Sequence, residues 1–499
     1  MKYILTLILT VISVMVFAQQ RPNVIVVLAD DIGIGDVSYY RKKHSNNIIL
    51  ETPTIDRLAK EGMIFTNAHT PAALCAPTRY AIMTGNHCYR SYAPWGVWGS
   101  YQQSPIQPDQ LTLGTLMKNA GYQTAFFGKW GFGMDFARKD NPNEIYRSPR
   151  KEHELDVDIS RVIDKGPLQN GFDYSFMYPA GIQAEPYAVY ENGKMVSLGP
   201  DSEIILITKK DMLEKGVTLD KKEGLGDSNW NPYNSGELLV NKAVNFIEST
   251  TDKSPFFMYY CSQAVHLPHT PSEKLNGTNI AGTTPSNHLD MVKELDVQME
   301  MIINALKQKG VYDNTLIIFT SDNGGLLEKE TIKSGHKSND IFRGGKNQMY
   351  EGGHRVPFIA WWPREIKAKS VSSTPILGID ILGTLAEITN QKLEGDNAMD
   401  SSSLLPVLKG KTTQVHPFLM TQSGTGKQTI IIKDEWKLII QIDKKDYRIR
   451  EPIALFNLKE NPTENEEDNF INNPAYKDKV DELFRLYNET RDSGIATRS

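Results

Sequence analysis

One short stretch concentrates the residue types that could react with an anion. Leu74 to Gly85 reads LCAPTRYAIMTG and places Cys75 in the pattern C-x-P-[ST]-R at the start of a helix-like segment. Pro77 suits a first helical turn, where its missing N–H costs nothing, and Arg79 then falls about one turn beyond Cys75. Backbone N–H groups at a helix start favour negative charge. A guanidinium beside them adds a planar fork of donors matched to a tetrahedral oxyanion. The plainer reading of the same residues is a buried cysteine beside a turn with a surface arginine.

Hard oxygen donors stand at two other places. Asp30 and Asp31 follow the run NVIVVLA, and Asp322 and Asn323 follow LIIFT and one serine. Three carboxylates and an amide oxygen suit Ca²⁺ or Mg²⁺ better than zinc, which prefers nitrogen and sulfur. Separately, the two pairs could be a helix cap and a hairpin turn. Three further segments carry basic or titratable groups: GYQTAFFGKWGF with Lys129, QAVHLPHTP with His266 and His269, and RGGKNQMYEGGHRVP with Lys346. A lysine at the end of a buried strand usually snorkels to solvent. A histidine, with an unperturbed pKa of about 6.5, can move protons near neutral pH.

The elements that must position these groups read as α/β. NVIVVLA and LIIFT are continuous apolar runs rich in β-branched residues, expected of strands buried on both faces of a parallel sheet. Further runs lie at Tyr122 to Phe127 and Pro255 to Tyr260. Helical spacing is expected over Thr54 to Glu61, Leu111 to Ala120 and Leu289 to Gly310. Polar residues released at strand ends are how open α/β sheets build sites. Asp135 to Lys165 and Asp201 to Asn231 are weakly periodic and read as surface insertions. After about residue 410, KQTIIIKDEWKLIIQI reads as two strands around a turn and KDKVDELFRLYNET as an amphipathic helix. The expected division is 1–18, 19–410 and a small α+β unit of antiparallel strands and a helix at 411–499. The acidic run Glu464 to Asp468 reads as a solvated loop.

The chain has 499 residues, 40% apolar and 23% charged, with a net charge of −5. That composition is ordinary for a globular enzyme, and the charge argues against a general nucleic-acid binder. Lys2, the apolar stretch Ile4 to Phe17 and the small residues before Gln19 form an export signal too short for an ordinary membrane span. A periplasmic or secreted protein without stable membrane insertion is expected. Of three cysteines, an odd number, Cys88 and Cys261 could pair or stay as buried thiols.

In this order the blocks resemble the formylglycine-dependent (type I) sulfatases of the alkaline-phosphatase superfamily, and bacterial secreted carbohydrate sulfatases in particular. The resemblance implies a large, mostly parallel sheet sandwiched by helices. It implies that a maturation enzyme oxidises Cys75 to formylglycine, whose hydrated aldehyde is the nucleophile. It implies one divalent cation, usually calcium, on Asp30, Asp31, Asp322, Asn323 and residue 75. By the same resemblance Arg79 and Lys129 contact the sulfate, Asp322 helps deprotonate the nucleophile, His266 protonates the leaving oxygen and Lys346 lies on the leaving-group side. His354 and Arg355 would organise their loop.

Two residues depart from the pattern. Phe127 replaces a smaller residue, and Gly131 stands where many members have a histidine that aids breakdown of the covalent hemiacetal; His69, a water or a neighbouring group would have to serve instead. The expected substrate is a sulfated carbohydrate. Gln183, Glu185, Tyr187, His269 and the aromatic cluster Trp95, Trp98 and Tyr101 are candidates for choosing the sugar. The competing functions are a phosphonate monoester or phosphodiester hydrolase of the same superfamily, and an unmodified protein that binds sulfated glycans without turnover.

Overall fold

The computed structural model describes residues 21–94, 96–148, 155–218, 222–251 and 253–498. The export signal at 1–18 and Trp95 lie outside the described residues.

An unbroken apolar run can be buried on both faces, and the strand Asn23–Ala29 is buried at every position. Its side chains alternate between two cores. Val24, Val26 and Leu28 pack with residues of the helices Cys75–Thr84, Leu113–Asn119 and Asp380–Ile388. Ile25, Val27 and Ala29 pack with the helices Pro53–Glu61, Ser235–Ser249 and Asn287–Lys309. Each fully buried aliphatic side chain gains about 1.5–3 kcal/mol, which favours the sheet centre over its edge.

That strand lies within a ten-stranded mixed sheet. Five neighbours run parallel, in the spatial order Tyr174–Ile182, Gln123–Lys129, Phe256–Cys261, Asn23–Ala29 and Thr315–Ser321. Leu28 sits opposite both Cys261 and Thr320, and Cys261 opposite Gly128, so the C-terminal ends are level. Lys129, Asp30 and Asp322 therefore emerge along one edge, with the Cys261-to-His266 segment between them. Antiparallel strands extend the sheet on both sides.

Several expectations need correction. The strand Tyr174–Ile182 lacks an expected counterpart, because Pro179 and Gly181 interrupt an otherwise apolar pattern. The segment from 135 to 165 contains three short strands, Phe136–Arg138, Ile145–Tyr146 and Val157–Asp158, and buries Tyr146 against Tyr101. The segment from 201 to 231 folds as the hairpin Ile204–Ile207 with Gly224–Asp227 around a short helix, Lys209–Glu214. Strands of two to four residues are too short to leave a periodic signal.

Beyond the main sheet, four antiparallel strands, Leu419–Gln422, Gln428–Lys433, Trp436–Ile442 and Arg450–Asn457, form a second sheet. One face buries Leu483 and Tyr487 of the helix Lys477–Ser493. The other packs Ile430, Ile432, Ile439 and Phe456 against Ala81, Leu377 and Ile379, and so backs the helix that begins at Cys75. No helix among the described residues is long and apolar enough to cross a membrane.

Glu464 corrects the reading of the acidic run. Residues 465–468 are exposed, but Glu464 is fully buried. With Glu351 it brackets the Lys437 ammonium at 2.7 and 3.0 Å, all three side chains at 0% exposure. Lys437 also lies 3.1 Å from His354 Nε2, and His354 Nδ1 lies 2.9 Å from His69 Nδ1. Glu351 accepts further bonds from Arg355. Lys437→Met would strand two buried carboxylates. It is expected to cost about 3–5 kcal/mol, read as a lower urea midpoint at constant m-value; an unchanged midpoint would remove this cluster from the stability argument.

Candidate active site

The site is assembled from the ends of the parallel strands and the start of one helix. Leu74 offers no side-chain cap, and Cys75 is the first residue of the helix Cys75–Thr84. The Thr78 hydroxyl donates to Ala72 O at 2.8 Å and ties the loop to that first turn. Arg79, 1% exposed, reaches across to Asp322, with Nε and Nη2 at 2.9 and 2.7 Å from Oδ2. Its Nη2 lies 3.6 Å from Asp30 Oδ2. Lys129 donates to the same Asp30 oxygen at 2.7 Å, and Lys346 donates to Asp31 Oδ2 at 2.7 Å.

The acidic turn is built from both strand ends. Asp31 takes a left-handed φ of 67°, a conformation that Asp tolerates better than most residues. Its N–H donates to Asp322 Oδ1 at 3.1 Å, and its Oδ1 accepts from Asn323 Nδ2 at 2.9 Å. Ligand atoms of Asp30, Cys75 and Asp322 all lie within 4.8 Å of one another.

Three fully buried carboxylates face three cations, and the electrostatics follow from that. Burial and the neighbouring carboxylates push Asp322 up to about 7, against the pull of Arg79. Burial would also raise Asp30, but Lys129 and Arg79 outweigh it and hold Asp30 far below the usual carboxylate range. Lys346 is raised because Asp31 more than offsets its burial. Asp30 Oδ1 and Asn323 Oδ1 are buried without a hydrogen-bond partner among the described residues. Carboxylate and amide oxygens with open lone pairs in a closed site are the donor set of a hard divalent cation, so these residues fit one.

His266 is 7% exposed and uses Nδ1 on Leu267 O at 2.8 Å, which leaves Nε2 towards the site, 4.0 Å from Asp31 Oδ2. Burial first, and then repulsion from Lys346 and Lys129, pushes it down to about 4. His269 stands apart. It packs edge-on to His288 at 5.2 Å and is lowered to about 4 by burial and that neighbour. His69 is committed to Asn67 and His354, so it is not available to the site. The group His69, Glu351 and His354 has metal-like spacing, but the Lys437 ammonium already bridges Glu351 and His354.

Two cavities meet at Cys75, Val97 and Gln183. The narrower one, about 80 Å³, reaches Arg79, Lys129, Gly131, Trp98, Tyr101, Glu185 and Lys222. The wider, about 590 Å³, is lined by Asp31, His266 and Lys346, with Asn347, Gly424, Thr425 and Lys444 beyond them. Gln183 Oε1 is buried without a hydrogen-bond partner among the described residues, as expected of a group that meets a ligand. Glu185 is paired with Lys222 at 2.7 Å. Tyr187 does not line either cavity: it is fully buried against Trp230 and donates its hydroxyl to Lys222 O. Cys88 and Cys261 are separate buried thiols, both pushed up to about 12 by burial. Sequence reasoning missed Lys222 and Lys444, which lie in polar stretches without a motif to mark them.

The Sulfatase family model matches residues 22–391, and the model described as N-sulphoglucosamine sulphohydrolase, C-terminal matches residues 343–493. N-acetylgalactosamine-6-O-sulfatase of Bacteroides thetaiotaomicron is 31% identical over 452 residues, covering 84% of this chain and 82% of that protein. Human steryl-sulfatase is 30% identical over 430 residues, 81% of this chain and 72% of that protein. A solved structure described under the metabolism of multiple glycosaminoglycans by Bacteroides thetaiotaomicron superposes with a TM-score of 0.79 at 28% identity, covering 95% of this chain and 99% of the other. With its acidic strand ends, its C-x-P-T-R helix start and its basic side chains gathered in one pocket, the chain belongs to the sulfatase family, the enzymes that hydrolyse sulfate esters.

Proposed function

We propose that the chain releases sulfate from a sulfated carbohydrate in the periplasm or outside the cell, with residue 75 as formylglycine and one divalent cation, calcium or magnesium. The gathering of Asp30, Asp322 and Cys75 within 4.8 Å, beside Arg79, Lys129 and Lys346, carries this reading. Residues 1–18 serve as the export signal, 19–410 as the catalytic unit and 411–499 as a smaller C-terminal unit. A formylglycine-generating enzyme is then a required partner. The Bacteroides relative makes 6-O-sulfated N-acetylgalactosamine the first substrate to test.

A sulfate monoester with a sugar alkoxide as leaving group needs its sulfuryl oxygens neutralised, an in-line nucleophile and a proton for the departing oxygen. Arg79, Lys129 and Lys346 hold the sulfuryl oxygens. Asp30, Asp31, Asp322 and Asn323 would hold a divalent cation, which would supply further neutralisation of negative charge in the pocket. Formylglycine at position 75 supplies the nucleophilic oxygen and, through a second hydroxyl, a route to product release that a serine lacks. The Asp322 carboxylate takes the nucleophile's proton, and His266 Nε2 delivers one to the leaving oxygen. An anion placed between His266, Lys346 and Lys129 cancels the repulsion that depresses His266, and so raises it towards the range in which it donates. Gln183 contacts the sugar, and Glu185 with Lys222 lines the inner wall.

Three measurements test the reading. Cys75→Ala should release no sulfate while keeping its far-UV spectrum, and mass spectrometry of the wild-type peptide spanning residue 75 should find a residue lighter than cysteine. An active preparation with an intact thiol would refute the nucleophile. His266→Ala should lower kcat/KM on a sugar sulfate by about 10²–10⁴-fold and much less on an aryl sulfate whose phenolate leaves without a proton; equal losses on both would exclude the proton-donor role. Calcium at one hundred times its Kd should stabilise the fold by about 2.7 kcal/mol, read as a rise in Tm. Asp322→Asn and Asn323→Ala should weaken that response, and an unaltered calcium titration would discard the ligand assignment.

A further inference from the structure

The C-terminal sheet also contributes a wall to the wider cavity. Gly424 and Thr425, in the turn before the strand Gln428–Lys433, and Lys444, just after the strand Trp436–Ile442, share that cavity with Cys75, His266 and Lys346. The wall is tied to the catalytic side. Asn347, next to Lys346, donates its N–H to Ala73 O at 2.7 Å and accepts the Gly424 N–H at 3.1 Å. A Cβ at 424 would lie 2.2 Å from Asn347 Oδ1, so the turn and the Lys346 loop close on each other with no room for a side chain. The Ile442 N–H bonds Lys427 O at 2.7 Å and brings the two lysine-bearing turns together. The position of Lys444 relative to the sulfate pocket is therefore set by backbone contacts.

The charge on this wall is left over. Lys129, Lys346 and Lys437 each have a carboxylate partner, whereas Lys444 and Lys427 have none among the described residues. The nearby acids are engaged: Asp443 accepts the N–H groups of Lys445 and Asp446 at 2.7 and 3.1 Å, and Asp446 pairs with Arg448 at 2.8 Å. Partial burial, and then the proximity of Lys427, lowers the Lys444 pKa, so an arriving anion relieves a repulsion already present. A cavity of about 590 Å³ has room for more than one sugar ring.

We propose that Lys444, backed by Lys427, is a second anion-binding subsite, which takes a carboxylate or sulfate on the sugar next to the one being desulfated. This rests on the carbohydrate-sulfatase reading of the pocket. Lys444 selects among substrates and takes no part in the chemistry.

The test is calorimetric binding at low salt to the full-length Cys75→Ala protein, which does not depend on turnover. The probes are three disaccharides of 6-O-sulfated N-acetylgalactosamine, whose second ring is a neutral hexose, a hexuronate or a sulfated hexose. The charged disaccharides should bind about two- to fivefold more tightly than the neutral one, the range of an exposed ion pair. Lys444→Ala in the same background should remove that preference, and Lys444→Glu should reverse it. A preference for only the uronate or only the sulfate supports the subsite and identifies its ligand. Equal affinities, no binding of any disaccharide, or a preference that survives Lys444→Ala would overturn it. Failure of the sulfatase reading would register separately, as no sulfate release from any of the three by the wild-type protein whose residue 75 has been matured to formylglycine.

Discussion

The constraint on which the rest depends is that Asp30, Asp31 and Asp322 share one fully buried space. Two unit charges 4 Å apart interact by about 4 kcal/mol at an effective dielectric of 20, so three carboxylates cannot stay together ionised without compensation. Arg79, Lys129 and Lys346 supply it, each with a nitrogen 2.7 Å from a carboxylate oxygen. The three cations therefore hold the acidic cluster together as well as facing the place a sulfate would take. Asp322, the carboxylate raised to about 7, marks where the compensation is least complete.

Such a cluster needs a rigid frame, and the parallel sheet is that frame. Asp30, Lys129 and Asp322 leave strands of one parallel set whose registers are level, so their relative positions are set by backbone hydrogen bonds rather than by loop conformation. The groups from loops are tied in secondarily: Arg79 by a helix, and Lys346 through its own N–H to Gly325 O and through Asn347 to Ala73. The C-terminal sheet closes this arrangement from behind. It packs on Ala81, one turn and a half beyond Cys75, and inserts Lys437 between Glu351 and Glu464. The helix of Cys75 and the loop of Lys346 are thus both braced by one small sheet.

What could be read from the sequence follows the range of the forces involved. NVIVVLA and LIIFT declare buried parallel strands because burial on both faces demands unbroken apolar residues. Motif order then assigns Asp30, Asp31, Cys75, Arg79, Lys129, His266, Asp322, Asn323 and Lys346 to one pocket, and the structure gathers all nine. Glu464, Lys437 and the strand Tyr174–Ile182 were not legible. Pairing of a buried lysine with two glutamates 86 and 27 residues away leaves no local trace. Tyr187 reads as a candidate for sugar contact beside Gln183 and Glu185, yet its ring is spent on the core beside Trp230.

Gly131 shows how backbone geometry, rather than space, can decide what a pocket contains. A side chain at 131 would find Arg79 Cδ at 3.9 Å, an ordinary contact, and open cavity otherwise. Its φ of 79° is the obstacle, because an L-residue held there loses about 1–2 kcal/mol. The turn that carries Lys129 into the pocket therefore favours glycine two residues later, and the volume beside Arg79 is left to the narrow cavity. The polar groups facing that volume come from elsewhere in the chain. Burial, and then Glu185, push the Tyr101 phenol well above its ordinary range, and Glu185 is paired with Lys222 at 2.7 Å, so that space is faced by a protonated phenol and an ion pair.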